Sequence, residues 1–256
     1  MSELAKGKKM IYSKPRSATE NPSLFCPGCH HALISRVVCE AIDEMGIQGD
    51  AVGVSGVGCH GMCHVYMDMD FVFALHGRAP GTATGIKRGL SNKGVVFTLQ
   101  GDGDLAAIGL GDILSAVNRG EKLTTIFFNN AGYGTTGGQM APTTLQGQVT
   151  PTSPQGRDPG LHGYPVHMAE LMASMRGVAF SARVALTNLK NFVKAKKAVK
   201  RAFQKQIDNV GYGFVEFVCT CPPGWGMSPP KAMQWLEKAM LEEYPLGEFK
   251  DVDGIE

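Results

Sequence analysis

Val95-Val96-Phe97-Thr98-Leu99-Gln100-Gly101-Asp102-Gly103-Asp104 runs from an apolar stretch into a tight acidic turn. Twenty-eight residues beyond Gly101 begins Asn129-Asn130-Ala131-Gly132-Tyr133-Gly134. Val95 to Leu99 reads as a buried strand, Leu105 to Val117 as a helical stretch and Leu123 to Phe128 as a second strand. Both motifs then fall where parallel strands end, the edge at which open α/β sheets bind their ligands. Asp102 and Asn130 each offer a side-chain oxygen, and Gly132 offers its carbonyl. Magnesium needs such hard oxygens and completes its shell with phosphate and water. The amides of Gly103 and Asp104 open the following helix, where partial positive charge suits a phosphate group. A lone Gly-Asp-Gly is ordinarily a plain strand-to-helix turn. The pair reads as a Mg²⁺-diphosphate clamp.

The rest of the chain keeps the same alternation. His30 to Met45 spaces Leu33, Val37, Val38, Ala41 and Ile42 helically, and Ala51 to Ser55 and Phe71 to Leu75 read as strands. Pro80 to Leu90 and Pro165 to Met175 read as helices, Val178 to Arg183 and Gly213 to Val218 as strands. Leu145 to Gly163 is aperiodic, and a loop of that length inside a domain is usually functional or disordered. Ser228-Pro229 starts a last helix, serine as N-cap and proline in the first turn. Strands alternating with helices give an α/β class, a parallel sheet with helices on both faces. The expected organisation is an N-terminal arm over residues 1–25, one α/β domain over 26–227, and a C-terminal helix and tail over 228–256 packed on it.

Composition narrows the class. The 33 glycines are about twice the average usage of roughly 7%, and they crowd between Gly53 and Gly163, where backbone must turn or approach a ligand. A net charge of +2 gives no argument for nucleic acid. No apolar run reaches the roughly 18 residues needed to span a membrane. The basic N-terminus lacks an apolar segment behind it, so it does not read as a secretory signal. Seven cysteines without an export signal suit ligands or reduced thiols, and the expected location is cytoplasmic.

Cys26-Pro27-Gly28-Cys29 is a CxxC, Cys59 lies in GVGCHG and Cys221 in CTCPPGW. Four thiolates serve a closed zinc site or a [4Fe-4S] cluster, and a CxxC alone also serves a redox disulfide. Spacing does not choose among them.

The GDG segment with Asn-Asn at this distance resembles the signature of thiamine diphosphate enzymes. NNAGYGTTGGQMAPTT, FCPGCHHALISRVV, GVGCHG and the HGR…ATGIK segment (His76-Gly77-Arg78, Ala83 to Lys87) resemble 2-oxoacid:ferredoxin oxidoreductase β subunits from Cys26 to Leu236. The resemblance implies the diphosphate-domain fold of thiamine diphosphate enzymes. It implies Mg²⁺ on Asp102, Asn130 and Gly132, and a [4Fe-4S] cluster on Cys26, Cys29, Cys59 and Cys221. Cofactor contacts are then expected at Gly58, Gly101, Asp102, Gly103, Asp104, Asn130, Gly132, Tyr133, Thr135 and Thr136. Thr135 departs from the methionine frequent in the family, and His60 from a smaller residue. Cys39 and Cys219 read as core, while Cys63 is an additional thiol of open role. His76 is expected at the reacting centre; Arg78 either binds substrate carboxylate or caps a loop. His30, His31, His60 and His64 are expected to donate hydrogen bonds to cluster sulfurs or to line the surface.

The implied activity is oxidative decarboxylation of a 2-oxo acid to acyl-CoA and CO₂, with coenzyme A as co-substrate and electrons leaving through the cluster to ferredoxin. GQMAPTTLQGQVTPTSPQGRD and CPPGWGMSP look most like the branched-chain, 2-oxoisovalerate group; 2-oxoglutarate, pyruvate and aryl oxoacids stay open. The family's activating glutamate lies on a pyrimidine domain for which 256 residues leave no room. An α-type subunit is therefore expected, with γ-type and ferredoxin-like subunits as further candidates. Two other readings compete: a non-redox thiamine diphosphate lyase subunit with structural zinc, and an electron-transfer scaffold with a vestigial cofactor site. The seven cations from Lys190 to Lys205 read as a solvated helix face or as a docking patch for an acidic electron acceptor.

Overall fold

The computed structural model of the chain describes residues 12–255. The first eleven residues, nearly half of the expected arm, lie outside the described residues. Among these, helices α1 (His31–Met45), α2 (Ala79–Gly89), α3 (Leu110–Asn118), α4 (Pro159–His162), α5 (Met168–Ser174), α6 (Leu189–Ile207), α7 (Pro229–Trp235) and α8 (Leu241–Glu243) surround one sheet. Its strands are β1 (Ala51–Ser55), β2 (Asp70–Phe73), β3 (Val95–Gly101), β4 (Thr124–Asn129), β5 (Val178–Ala185), β6 (Tyr212–Val218) and β7 (Gly247–Asp251), in spatial order β2-β1-β3-β4-β6-β5-β7. Every pairing is parallel except that of β5 with β7.

Pleating explains why the apolar runs are continuous. Val95, Phe97 and Leu99 of β3 face α1 and α6, together with Ile126, Phe128, Val215 and Phe217. Val96, Phe127 and Phe214 point the other way, against α2, α3 and α5. A strand covered on both faces has no solvent side to mark with polar residues. A third cluster joins Ala131, Leu145 and Val218 to Leu236, Met240 and Tyr244, so the C-terminal segment packs over the ends of the central strands.

The chain leaves β1 toward β2 on one side and returns to β3 on the other, which opens a crevice at the carboxyl ends of β1 and β3. Residues 56–66, 101–109 and 129–139 meet there, and β6 ends into Cys219-Thr220-Cys221 beside them.

Three local expectations are corrected. The sheet is not wholly parallel, since β7 in the tail covers the outer edge of β5 and removes an open edge. Leu105 to Val117 is not one helix: a π-helical turn, Gly103–Ala107, precedes α3. A side chain at Gly109 would sit 2.1 Å from the Asp104 carbonyl, so the chain can close this tightly only with glycine. The last helix is likewise broken by a π-helical turn, Leu236–Met240. Ser228 holds the N-cap position of α7 but makes no side-chain cap hydrogen bond.

Candidate functional site: a clamp of oxygens beside four thiols

Three oxygens meet where β3 and β4 end. The Asn130 side-chain oxygen faces Asp102 Oδ2 at 2.9 Å and the Gly132 carbonyl oxygen at 2.8 Å. Turned over, the carboxamide would donate to both, and amide orientation follows the hydrogen-bond network it sits in. As placed, the carboxamide oxygen stands within 2.9 Å of both, an arrangement that a hard cation reconciles. Carboxylate, carboxamide and carbonyl are the donor set that fits Mg²⁺.

Asp102 is buried, and burial pushes its pKa up to about 7 although the Thr143 hydroxyl and the Asn130 N–H both donate to it. Ala131, between two of the oxygen donors, holds φ at +56°, a left-handed backbone that residues with side chains rarely adopt. Its carbonyl accepts from Thr144 Oγ1 at 2.8 Å and Gln148 Nε2 at 3.3 Å, and its N–H donates to Asn129 Oδ1 at 3.2 Å. The turn is fixed from three directions.

All ten positions assigned from sequence to cofactor contact, Gly58 through Thr136, line one cleft of ≈ 390 Å³, and His76 and Cys59 line it too. Two of them do something besides. The Asp104 side chain is fully enclosed: Oδ1 accepts from Val57 N–H, Gly77 N–H and His76 Nδ1 at 3.0, 2.8 and 2.7 Å, and Oδ2 from Gln100 Nε2 at 2.8 Å. Thr136 Oγ1 donates to Gln139 Oε1 at 2.6 Å and so braces its own turn. Arg78 is exposed and donates to the Gly77 carbonyl at 3.2 Å, the loop-capping alternative.

The thiols divide into two sets. Cys39, Cys63 and Cys219 are buried in the core under α1, and Cys26, Cys29, Cys59 and Cys221 reach the surface or lie near it. Gly134 stands between the clamp and two sulfurs. The point where its Cβ would lie is 3.1 Å from Cys221 Sγ, 3.7 Å from Asn130 Nδ2 and 4.0 Å from Cys59 Sγ. The CPGC turn docks alongside, its Gly28 carbonyl accepting from Thr220 Oγ1 at 2.5 Å. Burial, reinforced by the facing thiols of Cys221, Cys59 and Cys26, pushes Cys29 up to about 12. Burial also raises Cys221 to about 11, with Cys59 and Cys26 among its neighbours. Four thiols thus feel one another. Among the described residues, however, no three His, Cys, Asp or Glu side chains close on a single metal ion. A closed zinc site requires that convergence; a four-iron cluster takes its cysteines on separate irons.

The histidines differ in duty. His31 Nδ1 lies 3.1 Å from Cys29 Sγ, its ring stacked on Phe128. His60 is buried in the cleft wall and its Nε2 has no partner among the described residues. His64 instead pairs with the Gly61 carbonyl at 2.6 Å. Thr135, the departure from the family pattern, meets Cys59 Sγ at 3.1 Å.

Sequence reading missed three supports. Thr143 bonds Asp102, Tyr244 bonds Thr143, and Arg157 organises the long loop by donating to the carbonyls of Thr144, Pro142, Gly163 and Tyr164. Only the aperiodic length of 145–163 hinted at the last. On α6, Lys196, Lys200, Arg201 and Lys205 pair with Glu40, Glu44, Asp251 and Asp253, so most of the basic face is spent inside the molecule.

Residues 56–217 match the thiamine pyrophosphate enzyme, C-terminal TPP binding domain. The chain is 44% identical over 241 residues to ketoisovalerate oxidoreductase subunit VorA of Methanothermobacter marburgensis, covering 94% of this chain and 50% of that one. It is 34% identical over 252 residues to 2-oxoglutarate synthase subunit KorB of Methanocaldococcus jannaschii, covering 91% and 88%. It thus spans half the length of the ketoisovalerate relatives and most of the KorB relative. A solved 2-oxoglutarate:ferredoxin oxidoreductase from Magnetococcus marinus, with 2-oxoglutarate, coenzyme A and succinyl-CoA bound, superposes with a TM-score of 0.74 over 96% of this chain and 87% of that one. At 24% identity it speaks for the fold alone.

Proposed function

The chain belongs to the thiamine pyrophosphate enzymes, among the subunits of 2-oxoacid:ferredoxin oxidoreductases, and from that premise we propose that it holds thiamine diphosphate, Mg²⁺ and a [4Fe-4S] cluster for oxidative decarboxylation of a 2-oxo acid to acyl-CoA. One observation carries the reading: the Asn130 side chain of the clamp and two of the four thiols, Cys59 and Cys221, meet around Gly134. When bound, thiamine diphosphate supplies the nucleophile and electron sink, and the cluster an outlet for single electrons toward ferredoxin. Asp102, Asn130 and the Gly132 carbonyl would hold the cation. The backbone at Gly101, Gly103 and Asp104 would receive the diphosphate, and Cys26, Cys29, Cys59 and Cys221 the four irons. His76, its Nδ1 engaged by Asp104, keeps Nε2 for proton exchange with the reacting carbonyl.

Val57, Ala107 and Ile108 supply apolar wall, and among the described residues no lysine or arginine lines the cleft. A second substrate carboxylate would be buried there without a counter-charge. This supports a branched-chain 2-oxo acid over 2-oxoglutarate, in line with the likeness to VorA. Around the mouth, Leu75, Val57 and Ile108 are 80%, 54% and 53% exposed, an apolar rim that suits an α-type pyrimidine-domain subunit. γ-type and ferredoxin-like subunits complete the proposed assembly. No described helix is long and apolar enough to cross a membrane, and free thiols suit the reducing cytoplasm.

Anaerobic purification with native partners tests this. Iron and sulfide near four per chain are expected, with coenzyme A-dependent reduction of a viologen dye by 2-oxoisovalerate. One zinc and no iron would favour the lyase reading. No binding of Mg²⁺ with thiamine diphosphate would favour the scaffold.

A further inference from the structure

Asp102 is reached from the far end of the chain. The Thr143 hydroxyl donates to Asp102 Oδ1, which leaves Oδ2 as the oxygen that faces Asn130, through the backbone N–H at 3.1 Å and the side chain at 2.9 Å. The Thr143 carbonyl in turn accepts from the Tyr244 hydroxyl at 2.6 Å. Both residues are fully buried, and Tyr244 stands 142 positions after Asp102.

Tyr244 is itself fixed. Its ring packs against His167 at 5.1 Å between centroids and beneath the Arg183 guanidinium at 5.2 Å. The preceding residue, Glu243, meets His167 Nε2 at 2.9 Å. The neighbouring Thr144 holds the Ala131 carbonyl within the strained turn. Residues 141–148 therefore lie between the clamp and the C-terminal segment, the Thr143 and Thr144 hydroxyls bonding toward the clamp and the Thr143 carbonyl toward Tyr244.

We infer that Thr143 and Tyr244 are positioning residues for the divalent cation: the C-terminal segment, through Tyr244 and then Thr143, fixes which oxygen of Asp102 is presented to the metal. The inference rests on the clamp being the Mg²⁺-diphosphate site. Groups that orient a ligating carboxylate act on metal affinity even though they never touch the ion, and losing one typically costs about 10–100-fold. Thr143 serves with a hydroxyl alone, so serine can replace it. Tyr244 serves with its phenol, while its ring supports packing.

The test uses Mn²⁺ as paramagnetic probe on the full chain, by electron paramagnetic resonance, and Mg²⁺ with thiamine diphosphate by calorimetry. Thr143→Val is expected to weaken Mn²⁺ binding by about 10–100-fold and Thr143→Ser to restore it. Tyr244→Phe keeps the ring and is expected to weaken binding several-fold. Thermal unfolding of the metal-free variants is measured alongside. A merely structural role would lower the unfolding midpoint and leave Mn²⁺ affinity within twofold of wild type, which would overturn the inference. If Thr143→Val does not fold, Tyr244→Phe decides, and unchanged affinity there overturns it. A wild-type chain that binds neither ion removes the clamp, and this inference with it. Wild-type binding with equal binding by the variants removes the inference alone.

Discussion

His76 Nδ1 sits 2.7 Å from Asp104 Oδ1, joining an imidazole whose side chain is 43% exposed to a carboxylate with no exposure at all. The carboxylate also gathers the N–H groups of Val57 and Gly77, so two loops and one cleft residue share a single anchor. The two partners should separate cleanly on mutation. Asp104→Asn turns an acceptor into a donor against fixed donors and should destabilise the chain by about 2–4 kcal/mol in urea denaturation. His76→Ala should cost under about 1 kcal/mol yet lower kcat of the assembled enzyme by about 10²–10⁴. Equal loss of stability in both variants would make His76 a structural residue.

Cation binding should release a proton from Asp102. Burial raises this carboxyl from 3.8 to about 7 in the folded chain. Between those values the metal-free fold carries a proton that the unfolded chain lacks. Its contribution to stability is full below about pH 4, shrinks as pH rises and is gone above about pH 7. The metal needs the carboxylate, so binding at pH 6 should release about one proton and at pH 8.5 almost none. Affinity should climb up to about tenfold per unit below pH 7 and then level off. Calorimetry in buffers of different ionisation heat counts the protons; a count of zero at pH 6 would refute the buried acid.

The sheet and the clamp were legible because each is written locally. β3 and β4, buried on both faces, spell themselves as largely apolar runs, and the oxygens of Asp102, Asn130 and Gly132 sit at their ends. β7 was not legible, because Gly247–Asp251 is a short and largely exposed edge strand with no apolar alternation to give it away. The π-helical turns escaped because one added residue hardly disturbs helical spacing over so short a stretch. Thr143, Tyr244 and Arg157 escaped for another reason. Their partners are backbone carbonyls and a carboxylate brought near only by the finished fold, and sequence separation carries no sign of them.

The cysteines should sort by iron content. Serine at 26, 29, 59 or 221 should each remove the visible absorbance of the anaerobically purified protein and most of its iron and labile sulfide. Alanine at 39, 63 or 219 should keep the cluster, since those thiols belong to the core under α1. The core changes should instead cost about 1 kcal/mol each for the small cavity left. Cys63 is the sharpest case, for burial pushes its thiol up to about 12 while Cys29 and Cys59 stand close by. Iron lost from Cys63→Ala, with its stability kept, would move it into the ligand set.

Glu216 should be a residue whose loss is worse than its joint replacement with its partner. It is fully buried, accepts from Asn129 Nδ2 at 2.6 Å and Ala169 N–H at 3.1 Å, and faces Arg183 Nε at 3.0 Å. The Arg183 contact is an ion pair whose N–H lies off the line of a hydrogen bond. Glu170, at 35% side-chain exposure, is the remaining carboxylate on that guanidinium. Glu216→Ala leaves the buried Arg183 cation with Glu170 alone and should cost about 3–5 kcal/mol in denaturant unfolding. Replacing both, Arg183→Met with Glu216→Leu, removes the charge along with its partner and should recover most of that loss. The double variant should still bind Mg²⁺ less tightly, because Asn129 loses its anchor and Asn129 Oδ1 is what holds the Ala131 N–H in the clamp turn. If the double variant proves as unstable as the single one, the shape of the two side chains, and not their charge, sets the stability of this core.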